Sequence, residues 1–214
     1  MLTSLPNLLT LSRIGAIPVL LALFYVEAPW VRWVACALFS AACITDYFDG
    51  YIARARKQVS PLGRFLDPIA DKLLVAAVLL MLASFDRMSG PTLLPAVVIL
   101  CREIIVSGLR EFLAELRVGM PASRLAKWKT GIQMTAIGVL IVGDAGPEAL
   151  PIRLIGEVGL WLAAILTLIT GYDYLRAGLA HIMTQQPTGE ATEAKSKQPA
   201  AYRGRRGGNP AGAG

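Results

Sequence analysis

Polar breaks divide this chain into six long apolar segments, near 8–26, 31–52, 66–84, 92–116, 125–142 and 152–180. A helix needs about 20 residues to cross a bilayer, and each segment comes close to that or exceeds it. The pattern predicts an all-α, polytopic membrane protein with six transmembrane helices. The second, fourth and sixth are expected to extend past the lipid. Pro18 predicts a kink in the first helix. Pro68 fits the third only if that helix starts near Gly63–Phe65, because proline suits a first turn. The first segment follows Pro6-Asn7, with no basic stretch before it and no small-residue cleavage site after it. It is expected to remain as a helix and not to be cleaved as a signal peptide. Residues 1–182 therefore read as one transmembrane domain. Residues 183–214, rich in Pro, Gly, Ala, Gln and basic residues, read as a disordered basic C-terminal tail.

Composition sharpens this picture. Of 214 residues, 55% are hydrophobic and only 17% charged, too few charges to clothe six apolar helices in a water-soluble surface. The charges are also unevenly placed. The turns at 27–32, 85–91 and 143–153 carry one arginine each: Arg32, Arg87 and Arg153. The 52–72 and 117–129 connections and the tail carry most of the remaining Lys and Arg. The positive-inside bias then places both termini on the cytoplasmic side. Tyr47, Tyr51, Trp128, Tyr172 and Tyr174 suit an inner aromatic belt, and Tyr25, Trp30 and Trp33 an outer one. Cys36, Cys43 and Cys101 have no metal-binding spacing, and Cys36 and Cys43 lie too far apart on one helix for a disulfide.

The chemistry concentrates between Asp46 and Asp71, in D-Y-F-D-G-Y-I-A-R, eight further residues, then G-R-F-L-D-P-I-A-D. Asp46 and Asp49 are three apart and Asp67 and Asp71 four apart, so on helices each pair shares a face. Carboxylates this close to a bilayer core are costly, and a functional site is the default reading. Two facing pairs make a hard oxygen site suited to Mg²⁺ or Mn²⁺. Depth supports the pairing. Counted from Trp30 and Phe85 at about 1.5 Å per residue, the four carboxylates fall roughly 21–28 Å from the outer turns, at a common level near the cytoplasmic edge. Arg110 reaches the same level on the fourth segment, on a stripe with Glu103, Ser107 and Glu111. Arg102 lies deeper, about 15 Å in, where it needs a buried partner such as Glu157.

The spacing D-x2-D-G-x2-A-R-x8-G-x3-D-x3-D resembles the signature of the CDP-alcohol phosphatidyltransferase family. Asp46, Asp49, Gly50, Ala53, Arg54, Gly63, Asp67 and Asp71 meet every fixed position. The resemblance implies a two-metal phosphoryl transfer in which a hydroxyl attacks a CDP-linked donor and CMP leaves. It assigns Asp46, Asp49 and Asp67 as metal ligands, and Asp71 as metal-linked and the general base. Gly50 and Gly63 would let the nucleotide approach the helix backbones. Ala53 leaves room beside them, and Arg54 can grip a phosphate with its forked donors. A polar stripe of Asn7, Thr10 and Arg13 on the first helix is expected to line the donor site. The resemblance also implies a homodimer in the bilayer.

Three weaker segments bear on the acceptor: N-L-L-T-L-S-R-I at 7–14, R-E-I-I-V-S-G-L-R-E-F at 102–112 and A-K-W-K-T at 126–130. They are similar to the bacterial branch of the family that joins CDP-diacylglycerol and glycerol 3-phosphate. That branch implies an inner-membrane location with the acidic motif facing the cytoplasm. Arg110, Lys127 and Lys129 are the cations expected to bind the acceptor phosphate. Cardiolipin synthases and inositol-phosphate-accepting synthases would share the acidic motif. An ion transporter would explain the carboxylates but not Gly50, Ala53, Arg54 and Gly63.

Overall fold

The computed structural model describes residues 5–56, 61–88, 90–115 and 124–184. The tail expected over 183–214 lies almost wholly outside them. Among the described residues the chain is all-helical, with α1 (Leu5–Leu23), α2 (Pro29–Arg56), α3 (Pro61–Ser84), α4 (Leu93–Glu115), α5 (Arg124–Val142) and α6 (Ile152–Thr184). All six apolar segments become helices. Prolines stand in the first turns of α1, α2 and α3, where the missing N–H has no helical partner to lose. Two expectations need correction. Helix α2 continues to Arg56 and α3 begins at Pro61, so most of the expected 52–72 connection is helical. Pro68 accordingly lies inside α3, past its first turn, and the carbonyl four residues earlier loses its helical donor.

Helix α1 packs on both α2 and α3, α2 on α5, and α3 on α4 and α5. Their shared core includes Leu20, Phe39, Leu74, Leu79, Ile99 and Ile137. The outside is apolar as well: Val97, Ile104 and Ile105 on α4 and Leu162, Ile165 and Leu168 on α6 are exposed. Large apolar side chains turned outward in rows suit lipid better than water. Among the described residues, Gly90–Glu115 and Ile152–Arg176 are long and apolar enough to cross a bilayer, and Leu9–Leu23 is a shorter apolar helix.

Glycines set how closely α6 approaches its neighbours. A Cβ at Gly156 would come within 2.7 Å of Leu140 on α5, and one at Gly159 within 2.9 Å of Ala136. Farther along, a Cβ at Gly171 would meet Arg102 at 3.1 Å and one at Gly178 would meet Leu109 at 3.0 Å, both on α4. Small residues of this kind let helix backbones pack closely in lipid.

The turns at the end of the bundle away from the acidic motif use the three arginines that the charge pattern set apart. Asp86, in the left-handed region at φ 51°, ends α3, and the Arg87 N–H donates to Leu82 O at 2.9 Å. This turn lays the Arg87 guanidinium 4.5 Å from the centroid of the Phe24 ring. There Nη1 donates to Ile141 O, 3.1 Å away near the C-terminus of α5. Burial, and then the like charge of Arg32, push the Arg87 pKa down to about 10, so it stays protonated at neutral pH. Arg32 pairs with Asp144 at 3.9 Å and Arg153 with Glu157 at 3.3 Å. Tyr25, Trp30 and Trp33 are exposed at this end.

Gly156→Val should lower the thermal midpoint in detergent by the equivalent of about 1–3 kcal/mol, because Leu140 is fully buried and has little room to yield. Gly15→Ala, with no atom within 4 Å of the added methyl, should change the midpoint little. Equal midpoints for the two variants would mean that α6 does not sit this tightly on α5.

Candidate active site

The acidic motif occupies the C-terminal part of α2 and the N-terminal part of α3. Asp46, Asp49, Gly50, Ala53 and Arg54 lie on α2, and Gly63, Asp67 and Asp71 on α3. The side chains of Asp49, Ala53, Arg54 and Asp67, and Gly50, lie outside the described residues, as does the side chain of Asn7. Among the described residues no three His, Cys, Asp or Glu side chains converge. Gly63 is buried on α3, and the side chains of Asp46 and Asp71 can be followed.

Asp46 extends from α2 with its side chain 40% exposed, and Arg13 of α1 meets it, Nη1 to Oδ1, at 2.6 Å. Arg13 and Thr10, one turn earlier, are both buried. Two members of the polar stripe thus face inward, and Arg13 locks α1 to the motif. Asp71 lies within electrostatic reach of Asp46, Lys72, Glu103 and Arg13. Asp46 and Asp71 therefore lie close enough to raise the cost of each other's charge. The donors fit a hard divalent ion: they are carboxylate oxygens from two helices, in each other's repulsive field, which a cation between them would relieve.

Asp71 also lines a cleft of about 330 Å³ between α3, α4 and α5. Lys72, Glu103, Ser107, Glu111 and Gln133 share its walls, with apolar residues such as Ile69, Leu73 and Ile104. Of the predicted α4 stripe, Glu103, Ser107 and Glu111 face this cleft. Lys72 donates from Nζ to Pro68 O at 3.0 Å.

Behind the cleft lies a buried charge network. Glu103 Oε1 accepts from Lys129 of α5 and, at 3.0 Å, from Arg102 Nη1. Arg102 Nη2 donates to Thr170 Oγ1 of α6 at 3.2 Å. The expected pairing of Arg102 with Glu157 is not formed, since Glu157 takes Arg153. Glu157 sits about 20 Å before Thr170 along α6. Depths counted from separate turns did not register α4 against α6. Tyr174 departs from the expected belt position too. It is buried, with the guanidinium carbons of Arg102 and Arg110 at 6.0 and 5.8 Å from its ring centroid. Trp128 and Tyr172 are exposed, as a belt requires.

The three predicted acceptor cations occupy different places. Arg110 is exposed on α4, next to Glu111 of the cleft. Lys129 is buried against Glu103. Lys127 lines a separate groove between α5 and α6, with Trp128, Gly131 and Gly159. The sequence reading passed over Gln133 and the role of Glu103 as a hub. The one available signal was the i, i+4 spacing of Lys129 and Gln133, which puts two polar groups on one face of α5.

The profile of the CDP-alcohol phosphatidyltransferase family matches residues 3–169. A CDP-diacylglycerol–glycerol-3-phosphate 3-phosphatidyltransferase of Rickettsia bellii is 50% identical over 174 residues, covering 81% of this chain and 94% of the relative. The protein of the same name from Cereibacter sphaeroides is 38% identical, covering 86% of this chain and 99% of its own length. A CMP-forming cardiolipin synthase of Oryza sativa subsp. japonica is 42% identical over 65% of this chain and 46% of its own length.

Glu103→Leu should strand two buried cations and lower stability in detergent by about 3–5 kcal/mol, read as a fall in the unfolding midpoint. Adding Lys129→Met should restore part of the loss. An unchanged midpoint in Glu103→Leu would show that the network does not hold α4 to α5.

Proposed function

The chain belongs to the CDP-alcohol phosphatidyltransferase family, and on that premise we propose that it transfers the phosphatidyl group of CDP-diacylglycerol to glycerol 3-phosphate, forming phosphatidylglycerophosphate and CMP. The observation that carries this reading is the close match, over nearly their whole length, to relatives named for that reaction, joined to a complete acidic motif. The family is membrane-bound and generally uses divalent metal ions.

In the proposed reaction a primary hydroxyl of glycerol 3-phosphate attacks the phosphatidyl phosphorus. A new P–O bond forms, the bond to CMP breaks, and the hydroxyl proton passes to Asp71. Asp46, Asp49, Asp67 and Asp71 would hold Mg²⁺ or Mn²⁺, as a pair of ions that draw charge from the diphosphate and the departing CMP. Arg13 fixes the orientation of the Asp46 carboxylate through their short ion pair. Gly50, Ala53, Arg54 and Gly63, with Asn7, Thr10 and Arg13, take the donor. Among the acceptor cations Arg110 is best placed, because it is exposed beside the cleft that holds Asp71. Lys129 acts on the site through Glu103, and Lys127 stands at the neighbouring groove.

The proposal includes the membrane arrangement: six spans in a bacterial inner membrane, a homodimer, both termini and the acidic site on the cytoplasmic side, and a catalytic domain over 1–182 before a disordered tail. It is supported by the basic bias of the inner connections and by the apolar exterior of the bundle. The plant cardiolipin synthase match supports a second reading, with phosphatidylglycerol as the acceptor.

Purified protein in mixed micelles should release CMP from CDP-diacylglycerol with glycerol 3-phosphate and much more slowly with phosphatidylglycerol. Excess EDTA should stop turnover, and Mg²⁺ or Mn²⁺ should restore it. The opposite acceptor preference would select the second reading, and full turnover in EDTA would refute metal dependence.

Arg110→Ala should raise the KM for glycerol 3-phosphate about 10- to 150-fold, the equivalent of one charge-assisted contact of roughly 1.5–3 kcal/mol. The KM for CDP-diacylglycerol should change far less. A loss confined to the donor would move Arg110 to the cytidine diphosphate.

A further inference from the structure

Gln133 is a cleft residue to which the acidic chemistry gives no task. It sits on α5 one turn beyond Lys129, is only 2% exposed, and lines the cleft that holds Asp71. Its side-chain carbonyl oxygen is buried and accepts no hydrogen bond from the described residues. A buried polar atom in that state is costly unless a ligand or water satisfies it. The terminal amide torsion of glutamine is soft, so the group can turn towards the cleft at little expense.

The charges around it say which part of an acceptor belongs there. Of the charged groups that face the cleft, Asp71 belongs to the proposed metal set and Glu103 is held by Lys129 and Arg102, which leaves Glu111 and Lys72, the latter bonded to Pro68 O. Among the described lining residues no cation is left uncommitted for a phosphate, whereas a neutral hydroxyl needs none. A hydroxyl both donates and accepts, as does an amide. The cleft, at about 330 Å³, has room for a three-carbon polyol.

Resting on the proposed acceptor, we infer that Gln133 is a specificity residue: its amide hydrogen-bonds the secondary hydroxyl of glycerol 3-phosphate, the one that does not react. The acceptor then lies with its carbons and hydroxyls in the cleft and its phosphate outward, towards Arg110. Gln133 thereby orients the primary hydroxyl to Asp71 and selects a polyol phosphate over a simple hydroxyalkyl phosphate.

The test compares glycerol 3-phosphate with 3-hydroxypropyl phosphate, which lacks only the secondary hydroxyl, in wild type, Gln133→Met and Gln133→Asn. Wild type should prefer glycerol 3-phosphate in kcat/KM by about three- to tenfold, the size of one net neutral hydrogen bond. Gln133→Met should bring the two acceptors within about twofold, by losing rate with glycerol 3-phosphate alone, and should leave the KM for CDP-diacylglycerol unmoved. Gln133→Asn, with its amide set back by one carbon, should also lose most of the preference and serves if the methionine variant does not fold. A preference retained in the variants, or equal losses on both acceptors, would make Gln133 structural and overturn the inference. Wild type that ignores glycerol 3-phosphate but turns over another acceptor would overturn the proposed function and this inference with it.

Discussion

The bundle depends on one constraint: a charge taken into an apolar interior must find a counter-charge and hydrogen bonds there. Glu103 meets it by holding Lys129 and Arg102 together, and Arg102 reaches on to Thr170. Three helices, α4, α5 and α6, are thereby tied at one level. Arg13 and Asp46 do the same for α1 and α2. Apolar side chains facing lipid on one side and protein on the other leave helices free to slide, since lipid tails are as apolar as leucine. The ion pairs remove that freedom, and they do so close to the carboxylates whose alignment matters most.

The two ends of the bundle are built differently. At the end away from the acidic motif the ties serve the turns: Arg87 on Phe24 and Ile141, Arg32 with Asp144, and Trp33 Nε1 donating to Ala145 O at 3.1 Å. At the other end the polar groups gather around a cleft, and several face open space. Between them, Gly156 and Gly159 let α6 close on α5, while Gly171 makes room for the Arg102 side chain. A larger residue at that glycine would press on the network that carries Lys129.

This division of labour suits a reaction that joins a lipid-anchored donor to a water-soluble acceptor. The acidic set needs rigid helices, because phosphoryl transfer relies on position and charge more than on covalent chemistry. The cleft beside Asp71 is lined by both acidic and apolar groups. Polar and apolar groups thus share one cavity, and Arg110 is exposed on the same helix as Glu103 and Glu111.

Much of this was legible in the chain itself. The six apolar segments, the acidic spacing and the isolated outer arginines follow from local rules: helix length against bilayer thickness, the three- and four-residue repeat of a helix face, and the cost of charge in lipid. Those rules act within one helix, so they located Asp46 and Asp71, put both at one depth, and grouped Glu103, Ser107 and Glu111 on one stripe. Relations between helices were another matter. Arg102 pairs with Glu103 and Thr170 where Glu157 was expected, Tyr174 turns inward beneath two arginines, Lys127 faces away from the cleft that Lys129 backs, and Gln133 enters the site unannounced. Each depends on the rotation and height of one helix against another. Packing across the whole bundle decides these, and no spacing along a single segment encodes them.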